Sequence, residues 1–179
     1  MKFKDTKYGD LTGQTYDGDI DVRNQNLTSL EGAPKVVTGK FDCSFNELTS
    51  LKGAPKEVSG HFQCNNNQLT SLKGAPKKVG GNFNCFNNQL TSLKGSPKEV
   101  GEHFNCRFNY LTSLEGSPKA VGGYFECSYN KLTTLKGAPK IIELGFFCYT
   151  NQLRTLEGVP KKVIGNNFSF DDNPGTHLK

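Results

Sequence analysis

Long apolar runs are absent from this 179-residue chain, and no window comes near the roughly 18 residues that a membrane-spanning helix requires. The positively charged start, Met1 to Lys7, is likewise followed by no apolar stretch. The sequence therefore reads as lacking a secretory signal and is expected in the cytoplasm. Hydrophobic residues make up 34% of the chain, which is low for a globule that must enclose a three-dimensional core. Histidine is scarce: only His61, His103 and His177 occur, and no glycine-rich phosphate loop or metal-ligand motif accompanies them.

What is plentiful is glycine, proline and asparagine, a composition that in random order would signal disorder. Here the order is not random. Leu27, Leu48, Leu69, Leu90, Leu111, Leu132 and Leu153 recur every 21 residues, and Gly, Pro and Asn hold fixed places between them. A fixed period of this length marks a solenoid, with its turn residues repeated once per coil. The repeat reads L-x-x-L-x-G-x-P-K-x-V-x-G-x-F-x-C-x-x-N-x. An N-terminal cap is expected over 1–15 and the solenoid over 16–174, with a short tail over 175–179. A partial copy over 16–26 offers Tyr16, Ile20 and Val22 where later copies have Val, Phe and Cys, and the last copy has one extra residue between Val163 and Phe168.

Each position has a physical reading. The F-x-C step, as in Phe62-Gln63-Cys64, has the period of a strand and sends both residues inward, with the residue between them facing out. The asparagine three residues after each cysteine is read as a buried amide that satisfies backbone groups where the chain leaves the strand. Two leucines then fill the core. Gly-Ala-Pro and Gly-Ser-Pro steps rule out a helix on the return side, which is expected to be extended or turn-like, with at most a turn of 3₁₀ helix. The fold class predicted is a β-rich solenoid, with a short parallel sheet of about eight strands on the concave face and a helix-poor convex side.

With these positions assigned, the chain resembles the leucine-rich-repeat proteins, whose L-x-x-L-x-L-x-x-N-x-L signature appears here as F-x-C-x-x-N-x-L. The phrase LTSLKGAPKEVGG-F-x-C-x-x-N-x-L is similar to short repeats in proteins of tailed bacteriophages and some bacteria, over residues 16 to 174. That resemblance implies a coil of short repeats and a phage-encoded protein that binds and modulates a host or competitor protein in the host cytoplasm. Relatives that act as ubiquitin ligases carry a separate catalytic domain, and this chain has no room for one.

The cysteines Cys43, Cys64, Cys85, Cys106, Cys127 and Cys148 share the same period, so they stack in one column. Neighbours about 4.8 Å apart and pointing the same way suit neither an unstrained disulfide nor a tetrahedral zinc site. They are read as small buried apolar side chains. His61 and His103 sit in one column two turns apart, so no nucleophile and base meet. The chain is read as not an enzyme, with no cofactor, no metal, no small-molecule substrate and no membrane partner.

Two surfaces remain as candidates. Lys35, Lys56, Lys77, Lys98, Lys119, Lys140 and Lys161 follow each proline and form a stripe, with Lys78 and Lys162 beside it. A stripe of this kind can meet phosphates, which makes nucleic acid or another polyanion the alternative partner. Glu57 and Glu99 interrupt it, the net charge is only +5, and the favoured reading is a solvated turn. The concave face varies on a constant frame, and there Phe86, His103, Arg107, Tyr124, Phe147 and Tyr149 gather toward the C-terminal half. Aromatic residues and Arg are the types enriched at binding hot spots, so a protein partner is expected on this patch. Asp19, Asp21 and Asp42 make the other end acidic. Phe45, Phe108 and Tyr129, one residue further along, are expected to tuck into the bend as core. A third reading is a structural or self-assembling segment, since any solenoid has open ends.

Overall fold

The computed structural model describes residues 1–165 and 167–175. His177, and with it most of the expected tail, lies outside the described residues. Each copy of the repeat makes one turn of a β-solenoid, and each turn contributes two short strands. Ile20–Asp21, Phe41–Asp42, Phe62–Gln63, Phe83–Asn84, Phe104–Asn105, Tyr124–Glu126, Gly145–Phe147 and Asn167–Ser169 stack in order as one parallel sheet. Its register joins Ile20 to Phe41 and Gly145 to Asn167, so the partial first copy and the one-residue insertion in the last both fall where the repeat puts them.

A second eight-stranded parallel sheet runs along the return side, where only extended or turn-like backbone was expected. Its strands are Thr15–Tyr16, Val36–Val37, Glu57–Val58, Lys78–Val79, Glu99–Val100, Ala120–Val121, Ile141–Ile142 and Lys162–Val163. The reason is hydrogen-bond accounting. A return segment too short for a helix must still pair its backbone N–H and C=O groups, and in a stack the same segment of the next turn lies one strand away. The 3₁₀ turn allowed for the convex side is not there among the described residues. The one 3₁₀ helix lies at Phe3–Asp5, in the cap. No helix among the described residues is long and apolar enough to cross a membrane.

The interior is a set of columns. Phe41, Phe62, Phe83, Phe104, Phe125 and Phe146 stack ring on ring with centroids 5.2 to 5.7 Å apart, all fully buried. Burial of each ring is worth about 1.5–3 kcal/mol, and ring contact adds about 0.5–1.5 kcal/mol. The cysteine, leucine and valine columns close the rest of the core. At the N-terminal end Phe3 continues the ring column onto Phe41, while Phe3 N–H and Lys4 N–H donate to Ser29 and Glu31 carbonyls. Residues before Thr15 therefore cover the first turn.

One glycine column is obligatory. Gly74, at φ of 99°, lies in the left-handed half of the map, and a Cβ built on it would stand 2.5 Å from the Leu51 carbonyl oxygen of the preceding turn. Close stacking of turns thus needs both the conformation and the bare backbone of glycine there.

Candidate functional site

The residue two after each cysteine turns the chain out of the Phe–Cys sheet. Asn24, Phe45, Asn66, Asn87, Phe108, Tyr129, Thr150 and Asp172 all adopt φ near 52–55° at this point. Asparagine tolerates that conformation; phenylalanine and tyrosine do so at a cost of about 1–2 kcal/mol each. Phe45, Phe108 and Tyr129, expected to be core, are instead 52%, 45% and 41% exposed. The reason is the next residue. Asn46, Asn109 and Asn130 occupy the inner side of the bend with every amide group bonded, which leaves the tip residue pointing to solvent.

That exposure builds a ridge across the middle turns. The Arg107 guanidinium lies 5.2 Å from the Phe86 ring centroid and 5.7 Å from that of Phe108. Phe108 stacks on Tyr129 at 4.3 Å, and Tyr129 meets Tyr149 edge-on at 5.4 Å. Two residues beyond Phe108, exposed Tyr110 carries the Lys131 ammonium 4.8 Å from its ring centre. Below the ridge, Arg107 Nε and Ser128 Oγ are buried without a hydrogen-bond partner. Phe86, Asn87, Arg107 and Phe108 line a hollow of about 300 Å³. The sequence pointed to Phe86, Arg107 and Tyr149; it missed Phe108, Tyr110, Tyr129 and Lys131. The signal was present, because Asn66 and Asn87 share the column of Phe108 and Tyr129, and a polar residue in a column marks it as wet.

The other three expected residues form a second cluster on the sheet itself. His103 stacks on Tyr124 at 4.9 Å, and Tyr124 meets Phe147 at 5.5 Å. With Asn84 and Glu126 they line a depression of about 230 Å³. Phe147 and Tyr149 flank Cys148 on the same face and join the two clusters. His103 also has a job in the frame: its Nδ1 accepts the Tyr124 N–H at 2.9 Å, as His61 Nδ1 accepts from Asn82 and Asn82 Oδ1 from His103.

The acidic end differs from its expectation. Asp42 lies on the outer face with Asp21 and Gln63 but is only 1% exposed, because its carboxylate takes the Ser44 N–H and hydroxyl and is covered by Arg23 and Lys40, each 3.6 Å away. Arg23 hydrogen-bonds the Asp21 carboxylate at 2.6 Å and holds its pKa down at about 2. Asp19 accepts the Lys40 N–H. Short carboxylates beside a bend find backbone donors before they find solvent, and Arg23 and Lys40 neutralise what is left.

All seven stripe lysines are exposed, and backbone bonds such as Lys77 N–H to Lys56 carbonyl join neighbours in successive turns. The six cysteines are free and buried, each of the first five donating its thiol to a carbonyl of the next turn, as from Cys106 to Glu126 at 3.4 Å. Among the described residues no three His, Cys, Asp or Glu side chains are placed to hold a metal ion. No protein-family model, curated protein or solved structure matches the chain.

Strain at the bend yields a direct prediction. Among the described residues Phe45 has no ring partner, so Phe45→Asn relieves the left-handed strain and lets the new amide extend the Asn66–Asn87 side-chain bond by one turn. Thermal unfolding should show a gain of about 1 kcal/mol. A loss of stability would mean that the ring is needed by the fold.

Proposed function

We propose that this chain is a non-enzymatic recognition scaffold that binds a protein partner through the ridge and depression between Phe86 and Tyr149. One observation carries the reading: Phe108 and Tyr129 hold large rings in the open, on backbone that disfavours them, at positions where asparagine serves the fold. Stacking of the two rings recovers about 0.5–1.5 kcal/mol against a strain of about 1–2 kcal/mol at each, and strain retained beyond what packing returns points to use. Rigid aromatic anchors around an arginine are what a hot spot requires, and the stacked frame beneath them loses little entropy on binding. Kinship with leucine-rich-repeat proteins, and a phage or bacterial role in modulating a host or competitor protein, belong to the same proposal. Their support is the leucine pattern with its asparagine at each bend.

The test compares two baits in a bacterial lysate: the wild-type chain and a Phe147→Ala/Tyr149→Ala variant, both checked for an unchanged circular-dichroism spectrum. The ridge reading expects proteins retained by the first and lost from the second. Identical retention by both would refute it.

A further inference from the structure

A second surface lies away from the ridge, on the corner between the leucine pair and the proline. There Ser50, Lys52, Gly53, Lys56, Ser71, Lys73 and Gly74 line a groove of about 550 Å³. Two lysine columns border it. One is the stripe after the prolines. The other, four residues after the first leucine of each repeat, runs Glu31, Lys52, Lys73, Lys94, Glu115, Lys136, Glu157. Three lysines therefore follow one another without interruption across the second to fourth full repeats.

The carboxylates that bound this run are occupied elsewhere. Glu31 takes Lys2 and Lys4, each at 2.7 Å, and Glu115 takes Lys136 at 3.8 Å. Glu57 and Glu99 lie in register on either side of Lys78 in the return-side sheet, so each has an opposite charge on the neighbouring strand. Among the described residues, Lys52, Lys56, Lys73, Lys77, Lys94 and Lys98 form no salt bridge.

The backbone at this corner takes two forms. At Glu31, Lys94, Lys136 and Glu157 the N–H donates to the hydroxyl two residues before it. At Lys52 and Lys73, as at Glu115 outside the groove, that bond is not made, and among the described residues neither lysine N–H has another protein acceptor, nor does the Ser50 or the Ser71 hydroxyl have a partner. Two N–H groups and two hydroxyls at the groove are thus open to an acceptor from outside the chain, beneath lysines that form no ion pair.

We infer that this groove binds a linear chain of phosphate groups running along the solenoid axis. Phosphate oxygens spread in several directions and suit point charges such as lysine, whereas planar carboxylates are matched best by the arginine fork, and the groove contains no arginine. No aromatic residue lines it either, so recognition is of the backbone and not of bases. Nucleic acid and inorganic polyphosphate share this chemistry.

The experiment measures binding of labelled oligothymidylate, inorganic polyphosphate and poly-glutamate at low salt and along a salt series. Wild-type protein should bind at least one phosphate chain and prefer it to poly-glutamate; which one binds identifies the source. The variant Lys52→Gln/Lys73→Gln/Lys94→Gln should lose about tenfold in affinity, with a salt slope shallower by about two for an oligonucleotide. A control with the same change in net charge, Lys119→Gln/Lys140→Gln/Lys161→Gln, should stay within about twofold of wild type. No binding of either phosphate chain, equal binding of poly-glutamate, a groove variant that binds like wild type, or equal losses in both triple variants would each overturn the inference.

Discussion

Replacing Asn109 with leucine should lower the unfolding free energy by about 4 kcal/mol and the thermal midpoint by about 10 °C. Asn109 is buried, and its amide nitrogen donates to the carbonyls of Cys85, Cys106 and Arg107 at 3.1 to 3.2 Å while its oxygen accepts the Leu90 N–H at 2.9 Å. Two of those four partners belong to the preceding turn. The side chain is therefore a clasp between turns as well as a plug in its own bend. Leucine has the same branched skeleton of four heavy atoms but is bulkier and satisfies none of the four groups, and each buried group left unpaired costs about 1–3 kcal/mol, less where a carbonyl keeps another partner.

A central position makes the effect larger. In a solenoid each turn is held by its neighbours, so a break between the third and fourth full repeats weakens coupling between two halves. Denaturant unfolding followed by circular dichroism checks this, with Gln89→Leu as the exposed comparison. A loss below about 1 kcal/mol for Asn109→Leu would show that the clasp is dispensable.

The same asparagines show how far the sequence could be read. Their burial and backbone-satisfying role follow from spacing alone, because a polar residue held at one place among inward-facing Phe, Cys and Leu has no alternative but to bond the bend. Their reach into the preceding turn was not legible. That depends on how closely turns stack, which Gly74 and its equivalents set through backbone contact. The return-side sheet was hidden for a related reason: Glu57, Lys78 and Glu99 look like turn residues by type, and they pair as strands only because the next turn offers the same segment in register.

The site was legible by half. Phe86, Arg107, Tyr124, Phe147 and Tyr149 stand out as large side chains in variable columns, and they do come together. Phe108 and Tyr129 were assigned to the core because aromatic residues near an interior usually are. The deciding quantity was a backbone dihedral, and only the asparagines sharing their column hinted at it. For Asp42 alternation gave the face and not the depth: it lies outward, but Ser44, Arg23 and Lys40 close over its carboxylate. An aromatic residue at this left-handed position is thus costly to the fold, as Phe45→Asn would reveal at a position outside the patch.

The parallel frame itself is tested most directly by its thiols. All six cysteines are fully buried, and burial is the chief cause that pushes their pKa values up, to about 12 at Cys148. An ordinary thiol ionises near about 8.5, so at about pH 8 the reactive thiolate should be scarcer in the folded chain by orders of magnitude. The sign for stability follows. Since folding holds these groups protonated, stability is intact below the unfolded-state value and falls as the pH rises from there toward the folded-state values. Titration with an aromatic disulfide reagent at about pH 8 should find no reactive thiol in the native protein and all six after unfolding in denaturant. Any cysteine in the native protein reacting at the rate of the free amino acid would contradict the stacked column.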